Sequence, residues 1–110
     1  MARLTAGFWV QAYLARLRLA TIPAYVTARG DETAGAVLVK VATLDGQARA
    51  WQRSFDPMTG ARCWMVFAEG AEEAVDAALA RQRQRDPDLW LLELEDRAGR
   101  TLLDEPGLGD

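Results

Sequence analysis

The chain has no histidine and no asparagine, one cysteine (Cys63) and one lysine (Lys40) among its 110 residues. Without histidine there is no Ser-His or Cys-His dyad, no imidazole base and no histidine-containing zinc site. One cysteine excludes an intrachain disulfide framework, so the fold must stand on packing alone. No apolar run approaches the roughly 20 residues that a membrane span requires. The apolar stretch Leu4–Leu14 is interrupted by Gln11 and followed at once by Arg16 and Arg18, and Ile22-Pro23 resembles a helix exit more than a cleavage site. These absences point to a cytoplasmic protein with no membrane contact, no metal and no cofactor.

What is present is ordinary for a globular domain. Half the residues are apolar and 26% are charged, which argues against disorder. The length suits one domain, expected over residues 1–103, with 104–110 as a loose tail. A net charge of −3 gives no general reason to expect nucleic acid or an anionic membrane. Its distribution is uneven: Met1 to Gly30 holds four arginines and no acid, whereas Ala71 to Asp110 holds eleven acids against five arginines. The two ends are expected to meet and neutralise each other. Twelve arginines against one lysine read as a coding bias, which discounts the arginine count as a functional signal.

Along the chain, residues 2–6 read either as a short strand or as the run-in to a helix. Val10, Tyr13, Leu14 and Leu17 recur at the spacing of one buried helical stripe, which predicts a helix over about 7–21. Pro23 ends it. Strands follow at 24–29 and 35–44, the second with Val37, Val39 and Val41 on one face and Leu38 and Lys40 on the other. Asp45-Gly46 is a hairpin signal. Residues 47–55 and 62–69 form a second hairpin about Asp56-Pro57-Met58-Thr59-Gly60. If its loop is 57–60, Arg53 faces Trp64 and Trp51 faces Val66; a slip of one residue scrambles this assignment.

A second helix is expected over about 71–83, acids in its first turns and arginines in its last. The final strand, 89–95, is apolar on both faces at its start. The fold class is therefore α+β: a mostly antiparallel sheet with two helices on one face, a ferredoxin-like βαββ(ββ)αβ variant with an inserted hairpin. The ferredoxin-like order depends on residues 2–6 being the first strand.

The segments Asp86-Pro87-Asp88-Leu89-Trp90, Glu93-Leu94-Glu95-Asp96-Arg97 with Gly99-Arg100, and Gly30-Asp31 followed by Ala34 to Val39 resemble a small bacterial family catalogued as domain of unknown function 1491. The resemblance covers nearly the whole chain, with Asp-Pro-Asp-Leu-Trp its most specific part. It implies a single-domain protein and brings no activity, cofactor or catalytic residue with it.

One side of the second hairpin carries Arg49, Trp51, Arg53, Arg62 and Trp64, the candidate interaction surface. Trp and Arg anchor protein interfaces, so the expected role is non-catalytic: a protein-interaction module, with a homodimer through that sheet as one form of it. The alternative is an accessory nucleic-acid binder that stacks bases on the rings and holds phosphates with the arginines, which requires the arginines to be unpaired. Against both stands a self-contained ladder, in which the guanidinium groups lie over their own neighbouring rings. Catalysis or a metal would have to come from Asp86, Asp88, Glu93, Glu95 and Asp96 converging in one pocket; turn formation around Pro87 and a solvated strand face explain them better. Cys63 falls on the face assigned to the core and is expected there as a small inert residue.

Overall fold

A computed structural model describes residues 4–105. In chain order the elements are α1 (Ala6–Leu19), β1 (Ala24–Ala28), β2 (Val37–Ala42), β3 (Gln47–Phe55), β4 (Arg62–Ala71), α2 (Glu72–Arg85) and β5 (Trp90–Glu95). The strands make one mixed sheet in the order β1-β5-β2-β3-β4, in which β2 and β5 run parallel and the other three pairings are antiparallel.

The chain enters α1 at Thr5, whose hydroxyl accepts the Phe8 N–H. Backbone carbonyls of the 29–35 loop take the next two orphan donors, Ala6 to Thr33 and Gly7 to Glu32. At the far end Thr21 adopts φ 57° while its N–H bonds Arg18 and the Ile22 N–H bonds Leu17. That pair of bonds is a Schellman motif with threonine at its left-handed position, and Pro23 then prevents any continuation. The buried stripe contains Val10, Tyr13 and Leu17 as the spacing predicts, and also Trp9.

Both hairpins form where the turn residues place them. Asp45 Oδ1 accepts the Thr43 hydroxyl and the Gln47 N–H, and Gly46 supplies the positive φ. In the second loop Asp56 donates to Ala61, Gly60 has φ 73°, and the register is the expected one: Arg53 opposite Trp64, Trp51 opposite Val66. A bulge follows, since Ala50 pairs with Ala68 and leaves Phe67 extra. After β4 the chain crosses the sheet through α2 and inserts β5 between β1 and β2.

The α+β class is as expected, but the helices lie on opposite faces rather than one. β2 shows why. Val39 and Val41 join Trp9, Val10, Tyr13 and Leu17 of α1 in the larger core, together with Leu92 and Leu94 of β5. Leu38, one residue over and so on the other face, joins Val75 and Leu79 of α2 with Ala48, Ala50 and Leu89. A strand apolar on both sides needs a cover on each. Residues 4 and 5 precede α1 and Ala6 begins it, so no opening strand forms there; residues 2 and 3 lie outside the described residues, as do 106–110 of the expected tail. Among the described residues no helix is long and apolar enough to cross a membrane.

Candidate functional site

Strand alternation and the hairpin register put Arg49, Trp51, Arg53, Arg62 and Trp64 on the α1 side of the sheet. This face is not fully outward: Trp51 and Trp64 are half-buried and pack against the margin of the larger core. The Arg53 guanidinium lies 5.1 Å from the Trp9 ring centre and 5.0 Å from that of Trp64, the two rings being 5.5 Å apart. Trp9 in turn stacks on Tyr13 at 4.9 Å. Each such cation–ring contact contributes about 0.5–1 kcal/mol when exposed and about 2 when desolvated. Arg49 lies over Trp51 at 5.8 Å and donates from Nε to Glu69 at 2.8 Å. The internal ladder therefore accounts for Arg49 and Arg53, and the unpaired arginines that nucleic-acid binding requires are not present at these two positions.

Beside the ladder runs an open groove of about 720 Å³. Trp51, Arg62, Cys63 and Trp64 form one wall and the segment from Gly99 to Glu105 forms the other. Cys63 is thus half-exposed at the groove rather than buried in the core, because its end of β4 projects past the apolar cover of the second cluster, whose β4 members are Phe67 and Ala68. The opposite wall is held by three devices. Tyr13, fully buried, donates its hydroxyl to the Thr101 carbonyl at 2.7 Å, and that burial pushes its phenol pKa up. Leu103 is buried in the larger core. Arg100 grips Asp96 through its guanidinium and its backbone N–H, which lowers the Asp96 carboxyl pKa.

A second cavity of about 560 Å³ opens where β2 begins and β3 ends, with Trp9, Gln52, Arg53, Gln82 and Asp86 on its walls. The buried Trp9 Nε1 has no hydrogen-bond partner. The amides at the start of α1 are already taken by Thr5, Glu32 and Thr33, which leaves that helix end no free anion cradle.

The five acids considered for catalysis do not converge. Asp86 accepts from the Asp88 N–H in its own turn, Glu95 accepts from Tyr25, and Asp96 is held by Arg100. Glu93 joins a cluster that the sequence reading missed. Lys40, 4% exposed, donates to Glu72 at 2.7 Å and to Glu93 at 2.9 Å and lies 2.7 Å from Asp76. Burial by itself would lower the Lys40 pKa; the three carboxylates outweigh it and hold the ammonium above its ordinary value. The available signal was the chain's one lysine at an inward position of a valine-rich strand. Among the described residues no group of three or more Cys, Asp or Glu side chains is placed to hold a metal ion.

The segments that carry the family resemblance meet at one point. Asp31 N–H donates to the Asp88 carbonyl at 2.9 Å, and the Trp90 indole donates to the Asp31 carbonyl at 2.8 Å. Arg83 reaches from α2 to the carbonyls of Leu89 and Arg29. A side chain at Gly30 or Gly35 would collide with the backbone of 88–89 or of Asp31, which is why both are glycine. These residues lock the loop after β1 to the loop before β5.

A family model described as protein of unknown function (DUF1491) matches residues 4–104. Among solved structures, the chain is similar to a DUF1491 family protein from Caulobacter crescentus, with 40% identity and a TM-score of 0.84 over 94% of this chain and 98% of that one. An NMR structure of a DUF1491 family protein from the same organism gives 39% identity and 0.81, over 96% and 97%. A protein from A. tumefaciens, solved in solution, gives 28% identity and 0.71 over 86% of each chain. No curated protein matches.

Proposed function

The chain belongs to the DUF1491 family, whose function is unknown, and from that starting point we propose that it acts by binding, as a protein-interaction module centred on the β3–β4 hairpin. The observation that carries this reading is the groove between Trp51, Cys63 and Trp64 on one wall and Thr101–Glu105 on the other. Its volume is within the range of pockets that take a drug-sized ligand, which is room for a side chain or two of a bound segment. The exposed parts of two indole rings offer a rigid apolar surface at little entropic cost, the feature common to interface anchors. Arg62 and Arg100 with Asp104 and Glu105 give the groove charges of both signs, which suits a polypeptide segment with an apolar side chain to insert and backbone groups to meet the rim.

The test is selection of a displayed random-peptide library on the folded chain, followed by binding of the enriched peptides to Trp51→Ala. Enriched peptides that bind the parent chain and lose at least tenfold in affinity with Trp51→Ala support the module. No enrichment over several rounds, or peptides indifferent to the substitution, would remove the groove as an interaction site.

A further inference from the structure

We propose that the outer edge of β4 pairs with the same edge of a second copy of this chain, joining two five-stranded sheets across a two-fold axis at Met65. This rests on the interaction-module reading and names one partner for the same hairpin.

β4 is the last strand in the sheet order, and among the described residues no strand pairs with its outer side. Edge strands carry unpaired N–H and C=O groups, and proteins blunt them with lysine, proline, an inward charge or a bulge. β4 has no lysine, proline or charge between Cys63 and Ala68, a run of six uncharged residues, and the bulge at Phe67 is the one such device there. Met65 is 49% exposed and Val66 42%. The other edge is different: β1 has five residues, follows Pro23, which has no donor, and carries no charge to set a register.

The charges on β4 are self-complementary. Its two ionised residues are Arg62 near one end and Glu69 near the other, so an antiparallel pairing with itself sets unlike charges opposite each other. The bulge then selects the register. With Met65 on the axis, Trp64 comes opposite the second copy's Val66. Phe67 is the extra residue, as it is against β3, so Ala68 comes opposite Cys63 and Glu69 opposite Arg62. In this register every facing pair lies on the same side of the sheet, which a slip of one residue would destroy. Glu69 is exposed beyond its bond to Arg49 and has room for a second donor. An isologous contact of this kind closes at two subunits.

The test combines mass with geometry. Light scattering across a hundredfold range of concentration is expected to show a species of twice the 12.1 kDa chain mass. Met65→Lys, which sets two ammonium groups face to face, is expected to weaken that species at least tenfold while the circular dichroism spectrum stays unchanged. In a Cys63→Ala background, Met65→Cys is expected to cross-link with a short bifunctional maleimide at least ten times faster than Tyr25→Cys on the opposite edge. A monomer at every concentration, or a dimer indifferent to Met65→Lys, overturns the proposal. So does equal cross-linking from both edges. Peptide selection on the groove is a separate readout: a monomer that still enriches peptides through Trp51 retains the module and loses only the second copy as partner.

Discussion

The indole N–H of Trp90 donates to the backbone carbonyl of Asp31 across 2.8 Å, 59 residues apart in sequence. The bond ties the first residue of β5 to the loop after β1, and the Trp90 ring also lies beneath the Arg29 guanidinium at 5.3 Å. Trp90→Phe keeps most of the packing but strips the carbonyl of its donor. Its expected cost is about 1–3 kcal/mol of unfolding free energy, measured by urea denaturation. Gly30→Ala is expected to cost more, because its Cβ would stand 2.8 Å from the Leu89 carbonyl carbon.

Lys40 makes stability sensitive to alkali. Its folded-state pKa lies above the unfolded value, so its contribution is complete below the ordinary lysine pKa and is lost as pH rises through the folded one. Lys40→Met is expected to cost about 2–4 kcal/mol at pH 7, below the full range for a broken buried pair because Glu72, Asp76 and Glu93 are part-exposed. Tm recorded from pH 7 upward into strong alkali should fall steeply for the parent chain and less for the variant.

Thr21 is exposed and holds φ 57° at the end of α1. A β-branched residue is strained there and glycine is not. Thr21→Gly is expected to raise stability by about 0.5–1 kcal/mol, seen as a shift of the urea midpoint at constant slope. An unchanged or lower midpoint contradicts this.

Tyr13 is the hinge pin of the groove. Its hydroxyl reaches the Thr101 carbonyl from the buried face of α1. Tyr13→Phe removes that bond and should cost about 1–2 kcal/mol. Amide exchange should speed up in 101–105 more than in the sheet. If peptide binding to the groove survives unchanged in this variant, the far wall takes no part in it.

Much of this molecule follows from local sequence. Pro23, Asp45-Gly46 and Pro57 to Gly60 punctuate the chain by their own backbone preferences, and the elements beside them lie near where they place them. The register of the second hairpin was readable on one condition: with the loop at 57–60, the turn leaves one pairing. Arg53 opposite Trp64 follows from counting outward from the loop.

What local pattern could not decide is what covers each face. Period-two alternation shows that β2 has two apolar sides but does not tell which helix goes to which, and only the path of the chain sets α1 on one and α2 on the other. The same limit governs the candidate site. The sequence placed Arg49, Trp51, Arg53, Arg62 and Trp64 together on one strand face; that Trp9 of α1 would reach over to sandwich Arg53, and that residues 99–105 would fold back to make a groove, depends on contacts between segments far apart in the chain. Lys40 and its three carboxylates come from three separate elements. Backbone preference acts within a few residues and is written in the sequence; long-range packing depends on the whole chain at once, and it decided which of these side chains are covered and which line an open surface.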